Sequence, residues 1–443
     1  METSKQIIVF NPISNHGHLD SWNYFFIKIL LKNGYEVFAV TEDVTSLVAM
    51  FKSEENSLGE SLKVYPIVSL KNKLKTIYKR YLSPDILRDE SFNLSVNNDV
   101  EVKLSEGVPA WISKIKKLIN FFLKDKEFKD FTSSIKKIVK DNSLRPKIAI
   151  NMFLDMYSYN AKSIKSLESV GIQWAGISFF PNFTRDKILY ESKNLKGIFL
   201  LDSVIRNNLS EIFPNKIFGL LPDITNHSLF NERPDLVLKI LSKAKRRKIL
   251  FLGGSIGPQK NLSAWYFAIK SLPKDEWFFL MVGEVHAASL SENELKMYME
   301  SLDKPIDNLF IYNRYIKDEK LFNELINCSD YIFAVYKNFF GSSNMISKAS
   351  CFKKPILVCN NGIMNKVVEK YRIGFSVDSD SEEQIVEGLL RLREGEIPAN
   401  HFEKYLLDHN IDSMELAILD FLGKSEACRA TSATKKGDYE DRI

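Results

Sequence analysis

Two stretches of this 443-residue sequence combine glycine, hydroxyl and cationic residues in a way that suits an anion. The first is Gly253-Gly254-Ser255-Ile256-Gly257-Pro258-Gln259-Lys260-Asn261. Glycines let backbone N–H groups approach a phosphate, and Lys260 adds a positive charge. An ordinary Gly/Pro turn with a surface lysine would carry the same residues. The spacing is neither G-x-G-x-x-G nor a loop ending in Lys-Ser/Thr, so nicotinamide and NTPase chemistry lose support. The second stretch runs from Tyr336 through Gly341, Ser342, Ser343 and Asn344, after an apolar run and before a helical pattern. Its N–H groups and hydroxyls would point at a bound anion, although Ser and Asn are also plain N-caps. A third group is His16-Gly17-His18 with Asp20 two residues on, which holds two of the six histidines. Imidazole has the intrinsic pKa of a base or polar positioner. A capped turn, with Asp20 or Ser21 as N-cap, is the plainer reading.

Such groups need elements to place them. QIIVF is a short apolar run, and WNYFFIKILLKN spaces Phe25, Ile29 and Leu30 as a helix that Gly34 closes. EVFAVTED is a second β-branched run. Strand–helix–strand spacing with nearly continuous apolar strands predicts a parallel sheet buried on both faces. Residues 52–145 break this rhythm with lysine-aromatic amphipathic helices. Alternation resumes at KIAINMFL, IQWAGISFF and GIFLLDSVI, and the first domain is expected to span 1–230. A second series, from RRKILFLGG through EWFFLMVGEV, NLFIYNRYI, SDYIFAVYK, KPILVCNNG and GFSVDSD, fills 231–400. A helix over 401–424 and a disordered tail over 425–443 complete the reading. In open sheets of this kind, ligands bind where strands end and loops enter helices.

Composition bounds the function. Hydrophobic residues at 45% and charged residues at 26% are globular averages, which exclude collagen, coiled coil and wholesale disorder. Four cysteines without C-x-x-C spacing, no signal peptide and no spanning apolar run fit a cytoplasmic protein. Between Lys63 and Lys147 stand 19 basic against 10 acidic residues, nine net positive charges in a chain whose total is +5. This region suits a solvated surface or, over 70–140, peripheral contact with the anionic inner face of a membrane. Its aromatics share the apolar stripe instead of alternating with lysines, which argues against nucleic acid.

With F-G-S-S-N-M-I-S-K-A-S-C-F-K-K-P-I after the run SDYIFAVYK, the second half resembles the GT-B glycosyltransferases of the group 1, retaining-type superfamily. Many of these carry E-G-x-x-N-x-x-x-E-A-M-A-x-G-x-P-V where this chain reads F-G-S-S-N-M-I-S-K-A-S-C-F-K-K-P-I. Gly341, Asn344, Ala349 and Pro355 match, while Phe340 and Lys348 replace the two glutamates. NLFIYNRYIKDEKLFNELINCSDYIFAVY, NNGIMNKVVEKYRIGFSVDSDSEEQIVEGL and the glycine-rich loop with Lys260 follow the family's neighbouring segments, and Ser255 stands near its arginine. The first half is matched only at SNHGHLDSWNYFFIKILLKNGYEV.

The resemblance implies two Rossmann-like doubly wound α/β domains facing across a cleft, with the final helix returning to the first. It implies transfer of a sugar from a UDP- or GDP-sugar to a hydroxyl of a glycan or lipid-linked acceptor, as in cell-surface polysaccharide biosynthesis. Gly254, Ser255, Lys260, Glu284, Arg314, Tyr336, Gly341, Ser342, Ser343 and Asn344 would hold the donor. His18 and Asp155 would act at the reacting centre, and His16 and Asp20 on the acceptor. Asp155 ends a first-domain strand, where it would take a proton from the acceptor or hold a sugar hydroxyl. In the family the two glutamates hold donor-sugar hydroxyls and ribose; Phe340 lacks that chemistry, and Lys348 would reverse the local charge. No bound cofactor or metal is expected: there is no strand-end D-x-D, no H-E-x-x-H and no Cys/His cluster. Asp378-Ser379-Asp380 sits before a helix as turn and cap residues. The rival readings are a nucleotide-sugar epimerase and a non-catalytic subunit that binds a sugar nucleotide or a partner.

Overall fold

Strands buried on both faces must be apolar almost throughout, and that demand selects the strands of this chain. The computed structural model describes residues 5–14, 18–52, 61–68 and 128–440, excluding the side chains of His18 and 426–440. Contacts divide the chain into two units. The first is built from Asn23–Gly219 with the strand before Ser14 and the chain from Phe421; the second is Leu220–Asp420 with the stretch ending at Trp22.

In order, the first unit runs β1 (Gln6–Asn11), α1 (His18–Lys32), β2 (Glu36–Thr41), α2 (Val44–Lys52), β3 (Leu62–Pro66), α3 (Lys129–Asp141), β4 (Ile148–Asn151) and α4 (Ala161–Glu168). It continues with β5 (Trp174–Ile177), α5 (Lys187–Tyr190), β6 (Leu195–Leu200), α6 (Ser203–Ile212) and β7 (Ile217–Leu220). Among the described residues its sheet has the order β3-β2-β1-β4-β5-β6-β7, doubly wound with a switch point between β1 and β4. Gly34 closes α1 at φ +76°, a left-handed conformation that favours glycine, and its N–H reaches the Leu31 carbonyl at 3.0 Å.

The lysine-aromatic segment is described only at its end. The helices expected over 70–127 lie outside the described residues, and α3 shows what the remainder does. Phe131, Ile135 and Ile138 of α3 are buried in the first core beside Phe128, so this stripe packs on the sheet and is closed to a membrane surface. Phe128 touches Phe131, Tyr157, Tyr159 and Trp174, with ring centroids 5.2, 5.4, 5.2 and 5.3 Å away.

The second unit runs α7 (Asp235–Ala244), β8 (Lys248–Gly253), α8 (Leu262–Ser271), β9 (Trp277–Val282), α9 (Glu292–Asp303), β10 (Leu309–Tyr312), α10 (Glu319–Asn327) and β11 (Tyr331–Ala334). Then follow α11 (Asn344–Cys351), β12 (Ile356–Cys359), α12 (Gly362–Tyr371), β13 (Gly374–Val377), α13 (Glu382–Glu394), α14 (Ala399–Asp408) and α15 (Ile411–Glu440). The six strands expected here are all present. They pair in parallel in the order β10-β9-β8-β11-β12-β13, with the switch point between β8 and β11.

Three boundaries differ from expectation. The units part at Gly219/Leu220 instead of residue 230, because the segment from Leu220 is bonded into the second unit. The helix expected over 401–424 is two helices: α14 buries Phe402 and Tyr405 in the second core, and only from Phe421, whose ring lies 4.2 Å from Phe199, does the chain join the first. The tail expected to be disordered continues α15 to Glu440.

Phe128→Ala removes a fully buried ring from four aromatic neighbours and is expected to cost about 3–5 kcal/mol. Urea denaturation followed by tryptophan fluorescence would show this as a lowered midpoint for the first unit.

Candidate functional site

The switch point of the second sheet brings the loops after β8 and β11 together. Gly254, at φ +98°, follows β8, and its N–H continues the ladder to the Val282 carbonyl at 3.0 Å. Gly283, at φ +132°, crosses so close that a β-carbon there would stand 1.8 Å from the Gly254 carbonyl oxygen. A side chain at Gly283 would therefore prise the two loops apart, while at Gly254 it is the positive φ that favours glycine. The Lys260 Nζ lies 3.7 Å from where a β-carbon on Gly254 would sit, so the ammonium stands over this half-buried backbone. It donates to the Tyr336 hydroxyl at 2.8 Å, and the Lys337 N–H reaches the Gln259 carbonyl at 2.9 Å. Gly254, Lys260 and Tyr336 thus form one cluster. Tyr336 itself is 3% exposed within the second core; it was expected to meet a ligand, but it orients Lys260 from beneath.

Ser255 is exposed, and its hydroxyl meets the His286 Nε2 at 2.6 Å. His286 was not singled out from the sequence, although one of six histidines three residues past a strand-ending glycine was a usable signal. The Glu284 and Arg314 side chains are exposed at the ends of β9 and β10.

The helix start at Gly341–Asn344 is already partly occupied by the chain itself. The Ser342 hydroxyl donates to Asp223 Oδ2 at 2.6 Å, so its proton is not presented to solvent. The Ser343 Oγ caps α11 by accepting the Met345 N–H at 3.4 Å, the plain role weighed for it. Asp223 is 6% exposed, and burial pushes its pKa up to about 6 against the lowering effect of the Ser342 bond. Nothing in the sequence marked this aspartate, whose partner is 119 residues away.

The two positions that differ from the glutamate motif take opposite courses. The Phe340 side chain is 65% exposed. Lys348 is buried at 2% exposure and donates to the Asn226 carbonyl at 3.0 Å, Glu319 Oε1 at 3.0 Å and Asn323 Oδ1 at 2.6 Å. All three ammonium protons are thereby used. Burial pulls its pKa down while Glu319 opposes that shift. The expected charge reversal does not arise, because Glu319 neutralises the lysine inside the domain.

In the first unit, Asp155 follows β4. Its Oδ1 accepts from the Ser178 hydroxyl at 2.6 Å and the Phe180 N–H at 3.1 Å, and its Oδ2 accepts from the Phe179 N–H at 2.7 Å. Burial raises its pKa against these three bonds. This is the geometry of an anchor for the loop after β5. His18 opens α1 instead of lying in the loop, and Asp20 falls in that helix's first turn, where an acid favours the dipole. The His18 side chain and all of His16 lie outside the described residues. No group of three or more His, Cys, Asp or Glu side chains able to hold a metal occurs among the described residues. The Asp378 carboxylate accepts the Asp380 N–H at 3.0 Å, a turn contact.

Comparison with known proteins agrees with this layout. Residues 235–407 match the family model described as glycosyl transferases group 1. The fold is GT-B, and residues 235–407 are similar to group 1 glycosyl transferases. A glycosyltransferase from Rickettsia africae is 13% identical, with a TM-score of 0.59 over 96% of this chain and 99% of that one. HepE from Anabaena, solved with UDP, is 8% identical with a TM-score of 0.60 over 95% and 100%. Sucrose-phosphate synthase from Thermosynechococcus elongatus is 12% identical with a TM-score of 0.59 over 95% and 99%. No curated protein sequence matches the chain. Both loops described above fall inside the matched residues, whereas Asp223 and Asn226 precede them.

Lys348→Ala would strand Glu319 and Asn323 in a buried setting. The expected loss is about 3 kcal/mol, as for other broken buried ion pairs, measured by urea denaturation. Glu319→Gln, which keeps an acceptor but leaves the buried ammonium without its counter-charge, should cost a comparable amount.

Proposed function

We propose that this protein transfers a sugar from a nucleotide-sugar to a hydroxyl acceptor. The observation that carries the reading is the Lys260 ammonium, held by Tyr336 above the Gly254 backbone at the sheet's switch point. An ammonium there, with the N–H groups that open α11, would offset the charge that builds on a leaving diphosphate. That electrostatic task needs no metal ion. UDP-sugars are the favoured donors, since UDP and UDP-glucose accompany HepE in its solved structures; GDP-sugars are the alternative. Glu284 and Arg314, exposed at neighbouring strand ends, would contact the nucleoside or sugar. Ser255 with His286 supplies a hydrogen-bonding pair where the family's arginine would stand.

On the acceptor side, His18 is the candidate base, with His16 and Asp20 beside it in sequence. Asp155 would serve by holding the Phe179–Phe180 loop. A glycan or lipid-linked acceptor in cell-surface glycan synthesis fits this assignment, with enzyme at the inner face of the membrane. One observation favours a second reading, a non-catalytic nucleotide-sugar binder: exposed Phe340 and locked Lys348 leave no carboxylate at either glutamate position of the motif.

Thermal-shift binding against UDP- and GDP-sugars tests the donor assignment. A donor at about 100 times its Kd should add roughly 2.7 kcal/mol of stability, and Lys260→Ala should abolish the shift. Absence of any shift across the panel would refute nucleotide-sugar binding. If a donor binds, donor hydrolysis separates the two readings: slow release of free sugar, lost in His18→Ala, is expected of an enzyme. A bound donor that stays intact with every acceptor supplied would favour the binding subunit.

A further inference from the structure

The loops after β8 and β9 go on pairing beyond the ends of their strands. The Ile256 N–H reaches the Glu284 carbonyl at 2.8 Å, and the His286 N–H reaches the Ile256 carbonyl at 2.9 Å. Ile256 and Val285 form a parallel bridge at this point. Side chains alternate along such backbone, so a fully buried Ile256 leaves Ser255 facing outward, and Ser255 is exposed. The backbone of His286 is held as firmly. Its carbonyl accepts the Ser289 N–H at 2.9 Å and the Ser289 hydroxyl at 2.8 Å. The neighbouring Val285 N–H donates to Asn313 Oδ1 at 2.9 Å, which ties in the loop after β10. Two exposed side chains on this constrained backbone meet at 2.6 Å, Ser255 Oγ to His286 Nε2.

We propose that Ser255 and His286 are a second anchor for the donor's diphosphate, with Ser255 as the contact and His286 as its positioning residue. The proposal rests on the donor assignment above and adds a residue from a different loop to it. Ser255 adjoins Gly254, over whose backbone the Lys260 ammonium stands, 3.7 Å from a β-carbon built there. With neighbouring Cα atoms about 3.8 Å apart, the Ser255 Cα lies no more than about 9 Å from that ammonium. One diphosphate, hydrogen-bonded at both ends, spans such a gap. The two anchors divide the work. Lys260 brings charge and is steadied by the Tyr336 hydroxyl and ring face, 2.8 Å and 4.0 Å away; the serine and histidine bring direction.

The bond between Ser255 and His286 has two possible directions, and one of them suits an anion. If Ser255 donates to the ring, its proton is spent and only oxygen lone pairs face the phosphate. If His286 donates from Nε2, the Ser255 proton is free to bond a phosphate oxygen. Binding of the anion thus selects the tautomer with its proton on Nε2. An imidazolium donates to Ser255 in the same direction, so the anchor works in either protonation state of the ring.

The test is calorimetric titration of the full-length protein with UDP and, separately, with inorganic pyrophosphate. Ser255→Ala and His286→Ala should each weaken both ligands by about tenfold, the effect of one lost hydrogen bond to a charged group. The double variant should lose no more than Ser255→Ala alone, because the histidine acts through the serine. Two further variants separate direction from mere packing. His286→Gln, whose amide can still donate to Ser255, should keep most of the affinity. His286→Glu, which can only accept and adds a negative charge, should bind more weakly than His286→Ala. Nitrogen-15 NMR of the ring should show the proton on Nε2 in the UDP complex. Equal affinity for UDP in His286→Gln and His286→Glu overturns the proposal, as does a complex with the proton on Nδ1 alone. If UDP binds and all the variants bind it like wild type, this anchor fails and the donor assignment stands. If pyrophosphate binds with the expected order of variants but UDP does not bind, the anchor stands and the donor assignment fails. Binding of neither ligand refutes both.

Discussion

A buried ammonium has to be hydrogen-bonded through every proton it carries, and in this molecule that requirement organises the second domain. Lys348 sits in the helix that opens at the Gly341–Asn344 loop, and its three partners come from two other segments: the Asn226 carbonyl from the chain before α7, and Glu319 and Asn323 from α10. Desolvating the charge costs several kcal/mol, and only the complete set of partners offsets it. The ammonium therefore fixes where α11 lies relative to α10 and to the segment that follows β7. Glu319 extends the network, since its Oε2 accepts the Ser21 hydroxyl at 2.5 Å. A position where the family motif has a ligand-facing carboxylate has become a structural joint.

That joint explains why the helix start can be so adjustable at its tip. With Lys348 and Ser347 clamped one turn into α11, the residues ahead of Asn344 need not contribute to stability. Phe340 is exposed there while its carbonyl accepts the Ile363 N–H at 3.0 Å, and Gly362, at φ +74°, leaves room for the Phe340 backbone against it. Ser342 is consequently held by a single side-chain bond to Asp223. Rigid support beneath a polar tip is the arrangement that preorganised electrostatics needs. Lys260 is treated alike, held from the core by Tyr336 while its charge stands over the Gly254 backbone.

Much of this fold was legible because local pattern and global role coincide. Runs such as ILFLG and WFFLMV are buried at every position since both faces of the sheet are covered, and each became a strand with register intact. Gly34 read correctly as a helix stop because its conformation depends only on its neighbours. The residues that fix the candidate site obey no such local rule. Tyr336 lies at a strand end, as a ligand contact would, yet it is buried in the core, and its ring face and hydroxyl both meet the Lys260 ammonium. Asp155 looked like an available base, but three donors 23 to 25 residues along the chain take both its oxygens. Asp223 and Lys348 find their partners 119 and 122 residues away. No periodicity or spacing encodes contacts of that separation.

The same reasoning bears on what a replaced motif residue means. Loss of two carboxylates from a donor-binding motif suggests, on letters alone, either a changed donor geometry or a lost activity. The structure separates the two positions by their energetics. Lys348 is compensated at every hydrogen, so its substitution is complete and has been built into the domain. Phe340 is uncompensated: a large apolar ring exposed at the mouth of a polar loop forgoes about 25 cal/mol for each Å² of apolar surface that burial would remove from water. Leu407 and Leu416 are exposed further still, at 73% and 70%, so a single exposed apolar side chain is ordinary on this surface, and the ring stands where its loop puts it, with the Phe340 carbonyl fixed by the Ile363 N–H.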